Sequence, residues 1–294
     1  MTASPVVVGI DGSSTSREAL VWAAHEAHLR GAPLRAVHAR PRPDYDPILA
    51  GASCLSPVPL VEEGADVALG TAVDLVQDLD PELPVEGSVC LGAAASVLLD
   101  EAEAGAGLLV VGSRGLGAFD SLFLGSVSTH LAARSPAPVV VVPPRTPFSV
   151  DGPVVVGVDG AAHSAAAVRE GAREAAAREV PLDLVVAHTV PTDTLVNPLS
   201  PPSDLRSASQ EHARRVAEEA ARAARAAGAE VDVRTHVVEG PAAQAVAQVA
   251  GTAASLVAVG ARGHGRVLGP VLGSVSQSVL HHARWPVLVA RAGR

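Results

Sequence analysis

The sequence predicts an α/β protein of two tandem, doubly wound domains, each a five-stranded parallel sheet flanked by four helices. Two observations carry that expectation. The first is a repeat: Gly112-Ser-Arg-Gly115, nine residues and then Gly125-Ser126 recur as Gly260-Ala-Arg-Gly263, nine residues and Gly273-Ser274, at an offset of 148. Val6-Val-Val-Gly9-Ile-Asp11-Gly12 recurs as Val154-Val-Val-Gly157-Val-Asp159-Gly160 at the same offset of 148. Distant landmarks that keep one offset mark a duplicated unit, and duplication decides the architecture first. The second observation is that each copy alternates short β-branched runs with helical stretches, the pattern of a parallel sheet with right-handed crossovers.

A chain of 294 residues suits two such domains. They are expected at 1–147 and 152–294, joined by a proline-rich linker. In the first copy Val6 to Ile10 reads as a strand buried on both faces. Asp11 to Ser16 is a turn rich in capping residues, and Arg17 to Arg30 a helix ended by Gly31. Pro33 to Ala39 forms the second strand, residues 40–60 a long proline-rich loop, and roughly 62–79 a helix. Val85 to Leu91 and Leu108 to Val111 are strands on either side of a helix over Ala93 to Ala104. A helix at about 126–134 follows the glycine loop, and Val139 to Val142 closes the copy. The second copy places strands near 154–158, 182–188, 231–238, 256–259 and 287–290, and helices near 163–178, 204–227, 242–250 and 274–283.

Composition removes several function classes. Lysine occurs nowhere in the chain, which excludes a P-loop lysine, a kinase-type ATP lysine and a pyridoxal Schiff base. The first 150 residues carry 8 Arg against 17 acidic residues and the rest 14 against 14, so no basic footprint for nucleic acid exists. Aromatics make up only 2%, which suits helices packed tightly on buried strands. Cys54 and Cys90 show no partner pattern and read as reduced thiols of a cytoplasmic protein. No charged segment precedes Val6 and no apolar run approaches the roughly 20 residues of a membrane span, so neither secretion nor a membrane partner is expected.

Open α/β sheets bind ligands beyond the carboxyl ends of their strands, where strand order reverses. With order 3-2-1-4-5 that crevice lies between strands 1 and 4, so Asp11 and Gly112 face one pocket. Glycines at 112 and 115 let backbone N–H groups approach a ligand. Gly125-Ser126 opens a helix whose free amides and partial positive charge favour an anion by about 0.3–1 kcal/mol. The Ser126 and Ser128 hydroxyls add donors. A carboxylate at Asp11 repels phosphate and suits ribose hydroxyls or an adenine amine.

The paired motifs resemble the universal stress protein family, whose nucleotide-binding members carry Gly-x2-Gly-x9-Gly-Ser/Thr. Both halves match without a gap, and the resemblance spans essentially the whole chain. It implies the strand order 3-2-1-4-5, with ATP between strands 1 and 4. Asp11, Gly112, Arg114, Gly115, Gly125, Ser126, Val127 and Ser128 would line the first site, with Gly9, Ala39 and Val111 near base and ribose. The second would comprise Asp159, Gly260, Arg262, Gly263, Gly273, Ser274, Val275 and Ser276, with Gly157, Thr189 and Val259 near the base. The implied function is a cytoplasmic ATP-binding regulator in stress response, with Mg²⁺ accompanying ATP and no catalytic residue.

A weak ATPase at the same sites and a nucleotide-independent interaction scaffold are the alternatives. The first lacks a carboxylate placed to activate water, and only the motif arginines could offset transition-state charge. The closing strands are sheet edges, expected to pair within the chain or in a homodimer. Ser13, Ser14 and Ser113 become Ala161, Ala162 and Ala261, which predicts that the first site binds ATP at least as tightly as the second. The pairs His25/His28 and His281/His282 lack a ligand set with metal spacing. His38 and His188, ending the second strand of each copy, are expected to be structural, and Cys54 is not expected to sense oxidant.

Overall fold

The computed structural model describes residues 3–40, 58–115, 124–146, 151–189, 202–227, 231–263 and 271–292. Cys54, most of the expected long loop and part of the expected linker lie outside them. The chain forms two compact units, Met1–Leu131 with Ser135–Ala137, and Ala132–Arg134 with Pro138–Arg294.

Chain order in the first unit is β1 (Val6–Gly9), α1 (Ser14–Leu29), β2 (Leu34–Arg40), α2 (Val58–Leu79), β3 (Val85–Leu91), α3 (Ala94–Glu103) and β4 (Leu108–Gly112), leading into α4 (Ser126–Arg134). Strand β1 pairs in parallel with β2 and β4, and β2 with β3. The order β3-β2-β1-β4 therefore reverses between β1 and β4, as expected. Val6, Val7, Val8, Leu108, Leu109 and Val110 are wholly buried. Continuous apolar runs are what a central parallel strand needs, because helices cover both of its faces. Each such side chain contributes about 1.5–3 kcal/mol. A side chain added at position 112 would meet Thr15 of α1, and one at position 87 would meet Leu69 of α2. One added at position 9 would meet Leu98 of α3. Helices α1 and α2 thus cover one face and α3 the other.

Helix α1 begins at Ser14, three residues before its expected start. Ser13 has the extended N-cap conformation (φ −72°, ψ 161°), and its Oγ accepts from the Ser16 N–H at 3.1 Å. The hydroxyl-rich stretch read as a turn is the cap and first turn of the helix.

The second unit holds β5 (Val139–Val142), β6 (Val154–Val158), α5 (Ala162–Arg178), β7 (Leu182–His188), α6 (Pro202–Ala226), β8 (Val233–Glu239), α7 (Ala242–Ala250), β9 (Leu256–Gly260), α8 (Ser274–His282) and β10 (Val287–Ala290). Its parallel ladders run β8-β7-β6-β9-β10. Strand β5 adds to the edge antiparallel to β10, with Val141 opposite Val287. The two closing strands satisfy each other's edges. Ala161 caps α5 with the backbone of Ser13 (φ −77°, ψ 162°) but no side-chain hydrogen bond. Among the described residues no helix is long and apolar enough to cross a membrane.

Candidate functional site

Each unit has a cavity where its strand order reverses, of about 500 Å³ in the first and about 470 Å³ in the second. Beyond β1 the chain turns at Asp11-Gly12. Gly12 has φ +85° and its counterpart Gly160 φ +84°, which a side chain would strain. Within that turn Asp11 Oδ1 accepts from the Ser13 N–H at 2.9 Å, and Asp159 Oδ1 from the Ala161 N–H at 2.9 Å. The carboxylate is thereby aimed before any ligand arrives.

The second glycine of each motif fits against that acid. A Cβ at position 115 would stand 2.3 Å from Asp11 Oδ2, and one at position 263 would stand 2.4 Å from Asp159 Oδ2. A side chain at either position would push the carboxylate off its aim.

Helices α4 and α8 supply the opposite chemistry. Gly125 and Gly273 occupy their N-caps in extended conformation and offer no side-chain cap. The Gly125 N–H donates to Ser113 O at 2.7 Å and the Gly273 N–H to Ala261 O at 2.8 Å, closing each loop onto the helix start. The nearby hydroxyls point backward: Ser128 Oγ donates to Gly125 O at 3.0 Å and Ser276 Oγ to Gly260 O at 2.5 Å. Uncapped first-turn amides carrying the positive end of the helix dipole make an anion site. An apolar wall from β2, α3 and Val111 completes the first cavity, and β7, α7 and Val259 repeat it in the second.

Gly9, Asp11, Ala39, Val111, Gly112, Arg114, Gly115, Gly125, Ser126, Val127 and Ser128 all line the first cavity. Gly157, Asp159, Val259, Gly260, Arg262, Gly263, Gly273, Ser274, Val275 and Ser276 line the second. Thr189 does not: it is exposed, one residue beyond β7. The ladders set Leu34 beside Val6 and Leu182 beside Val154. The repeat offset therefore holds through β7, and the counterpart of Ala39 is Ala187, which does line the cavity. His38-Ala39 and His188-Thr189 look alike in sequence but stand two positions out of register. His188 corresponds to Arg40, and neither His38 nor His188 lines a cavity. Strand alternation turns both away from the face that carries Val37, Ala39, Val185 and Ala187.

The wall residues Ala94, Leu98, Ala242 and Val246 escaped the sequence reading. Their only signal is recurrence at the common offset, which every core residue shares. Among the hydroxyls lost in the second copy, Ser13 is engaged as the α1 cap and Ser14 does not line the cavity, whereas Ser113 does.

The copies also differ behind the motif. In the first, Thr15 Oγ1 donates to Arg114 O at 2.5 Å. The second has His163 there, whose Nδ1 accepts from the Ala292 N–H at 2.9 Å. Burial, and then the guanidiniums of Arg262 and Arg291, hold the His163 imidazolium below its ordinary pKa of 6.5, with Asp159 opposing. Among the described residues no group of three or more His, Cys, Asp or Glu could hold a metal ion. His28 Nδ1 instead pairs with Asp80 Oδ2 at 2.8 Å, and His282 Nδ1 donates to Ser278 O at 2.8 Å.

The family model for the universal stress protein family matches residues 3–143 and again 152–291. Universal stress protein Rv2005c of Mycobacterium tuberculosis is 34% identical over 309 residues, covering 97% of this chain and 96% of that protein. A universal stress protein of Mycolicibacterium smegmatis is 33% identical over 300 residues, with 97% and 96% covered. Among solved structures, a universal stress protein from Archaeoglobus fulgidus shares the fold at a TM-score of 0.68 and 19% identity, covering 99% of this chain and 97% of that one. Matched twice along nearly its whole length, the chain belongs to the universal stress protein family and carries two copies of its domain.

Proposed function

We propose that the protein is a cytoplasmic adenine-nucleotide-binding regulator in stress response, each cavity taking one ATP with its Mg²⁺. One observation carries this reading. In both units a backbone-held carboxylate and an uncapped helix N-terminus line the same cavity, beside an apolar wall. The carboxylate is an acceptor for ribose hydroxyls, the amides are donors for phosphate oxygens, and the wall suits a purine face. Mg²⁺ favours phosphate oxygens and water, with one or two carboxylates at most, so with Asp11 and Asp159 committed to ribose the ATP phosphates and water would hold it.

Regulation fits the site better than turnover. Asp11 and Asp159 are the only acids lining the described parts of the cavities, and each already accepts a backbone N–H. In this reading both are committed to ribose hydroxyls, away from the phosphates where water would be activated, and no lysine exists to offset developing charge. Binding instead stabilises the liganded form by mass action, and that state is what a protein partner would read.

Calorimetric titration of the desalted chain with Mg-ATP tests the proposal. Saturation at two ATP per chain, falling to one in either Gly115→Val or Gly263→Val, is expected. Absence of binding, or a stoichiometry indifferent to both substitutions, would contradict it.

A further inference from the structure

We infer that the Ser113 hydroxyl donates a hydrogen bond to the occupant of the first cavity, a contact the second cavity lacks. This rests on the nucleotide reading above and deepens it. Ser113 follows the last residue of β4, lines the cavity and is only 3% exposed. Its Oγ is buried and has no hydrogen-bond partner among the described residues.

The fold accounts for the backbone of this residue but not for its side chain. Its carbonyl accepts from the Gly125 N–H at 2.7 Å and from Ser128 Oγ at 3.3 Å, which ties the loop to the start of α4. Among the described residues the hydroxyl has nothing to donate to. A buried hydroxyl without a partner has given up its hydrogen bonds to water for no return. An acceptor oxygen entering the cavity removes that deficit. The other donors there are the uncapped amides of α4 and the Arg114 guanidinium, so the oxygen they share is anionic, the phosphate of a nucleotide.

The second cavity is built differently at this point. Ala261 takes the equivalent position, 1% exposed, and its carbonyl accepts from the Gly273 N–H at 2.8 Å just as Ser113 does. The backbone arrangement is kept and the hydroxyl is gone. The buried donor atom without a partner among the described residues is there the Nε of Arg262. Ser13 and Ser14 drop out of the comparison, the first because it caps α1 and the second because it lies off the cavity. Of these three serines, Ser113 alone lines the described part of the first cavity.

The test uses the full chain with one cavity closed at a time. In a Gly263→Val background, calorimetric titration with Mg-ATP reports the first cavity alone, and adding Ser113→Ala should weaken binding about three- to tenfold. In a Gly115→Val background, Ala261→Ser should tighten the second cavity by a similar factor. Because the hydroxyl has no partner among the described residues, Ser113→Ala should leave the ligand-free melting temperature unchanged or raise it. Unchanged affinity in Ser113→Ala would overturn the inference while leaving the nucleotide reading intact. So would a lower ligand-free melting temperature without loss of affinity, which would mark a structural hydroxyl. Failure of the unmutated chain to bind Mg-ATP would overturn both.

Discussion

Asp11 and Gly115 work as a pair, one holding a carboxylate at the cavity and the other keeping the loop close enough to use it. An alanine Cβ at 115 would stand 2.3 Å from Asp11 Oδ2 and displace the carboxylate. Gly115→Ala is therefore expected to lower ATP affinity at the first cavity by about tenfold or more, the scale of a lost charge-assisted hydrogen bond. Thermal unfolding should barely move, because position 115 is exposed. His163 makes a prediction of a different kind. Its folded pKa lies below 6.5 through burial and the nearby Arg262 and Arg291. The unfolded chain then binds the proton more readily, so this residue's contribution to stability is complete above about pH 6.5 and is lost as pH falls toward the folded value. Melting curves from pH 7.5 to 5 should show His163→Thr, which restores the residue found at position 15, less acid-sensitive than the parent. Equal sensitivity would contradict the account. At this scale the sequence revealed the motif residues that line the cavities, missed the α3 and α7 walls, and did not show what the side chains are spent on. Ser13, Ser14 and Ser113 look equivalent on the page, and only the helix cap and the cavity separate them.

Among the elements, α1 and α5 form a natural comparison. They start with the same N-cap backbone, one with serine and the other with alanine. Ser13→Ala should cost about 1 kcal/mol and Ala161→Ser should return a similar amount, both read as shifts of a urea midpoint at constant slope. No shift in either would mean that the first-turn amides of both helices are satisfied elsewhere. The strands were legible nearly to the residue, because runs such as Val6–Val8 and Val154–Val156 are apolar on both faces and end in Asp-Gly turns. Helix starts were less legible. Hydroxyl-rich segments serve turns and first helical turns alike, so α1 begins at Ser14 rather than 17. Helix α2 begins at Val58 rather than near 62, with Pro59 in its first turn, where its missing N–H costs nothing. The α3 and α7 walls were invisible for a related reason, since Ala94 and Leu98 have the composition of ordinary core. Thr189 was not legible because His188-Thr189 resembles His38-Ala39 locally, while the ladder register carries the repeat offset into β7 and makes Ala187 the equivalent of Ala39.

At the scale of the whole molecule, duplication is what made architecture and site readable together. A single glycine motif is weak, but two copies, each with an acid just after β1 or β6, tie the loops to one crevice per copy. The same duplication supplies internal controls, because the described linings of the two cavities differ at few positions. The central claim is that both cavities hold adenine nucleotide. The most direct measurement is to purify the chain, desalt it, denature it by heat and identify the released nucleotide by mass spectrometry. The account predicts close to two ATP per chain. A protein that emerges empty and also fails to bind added Mg-ATP would contradict it.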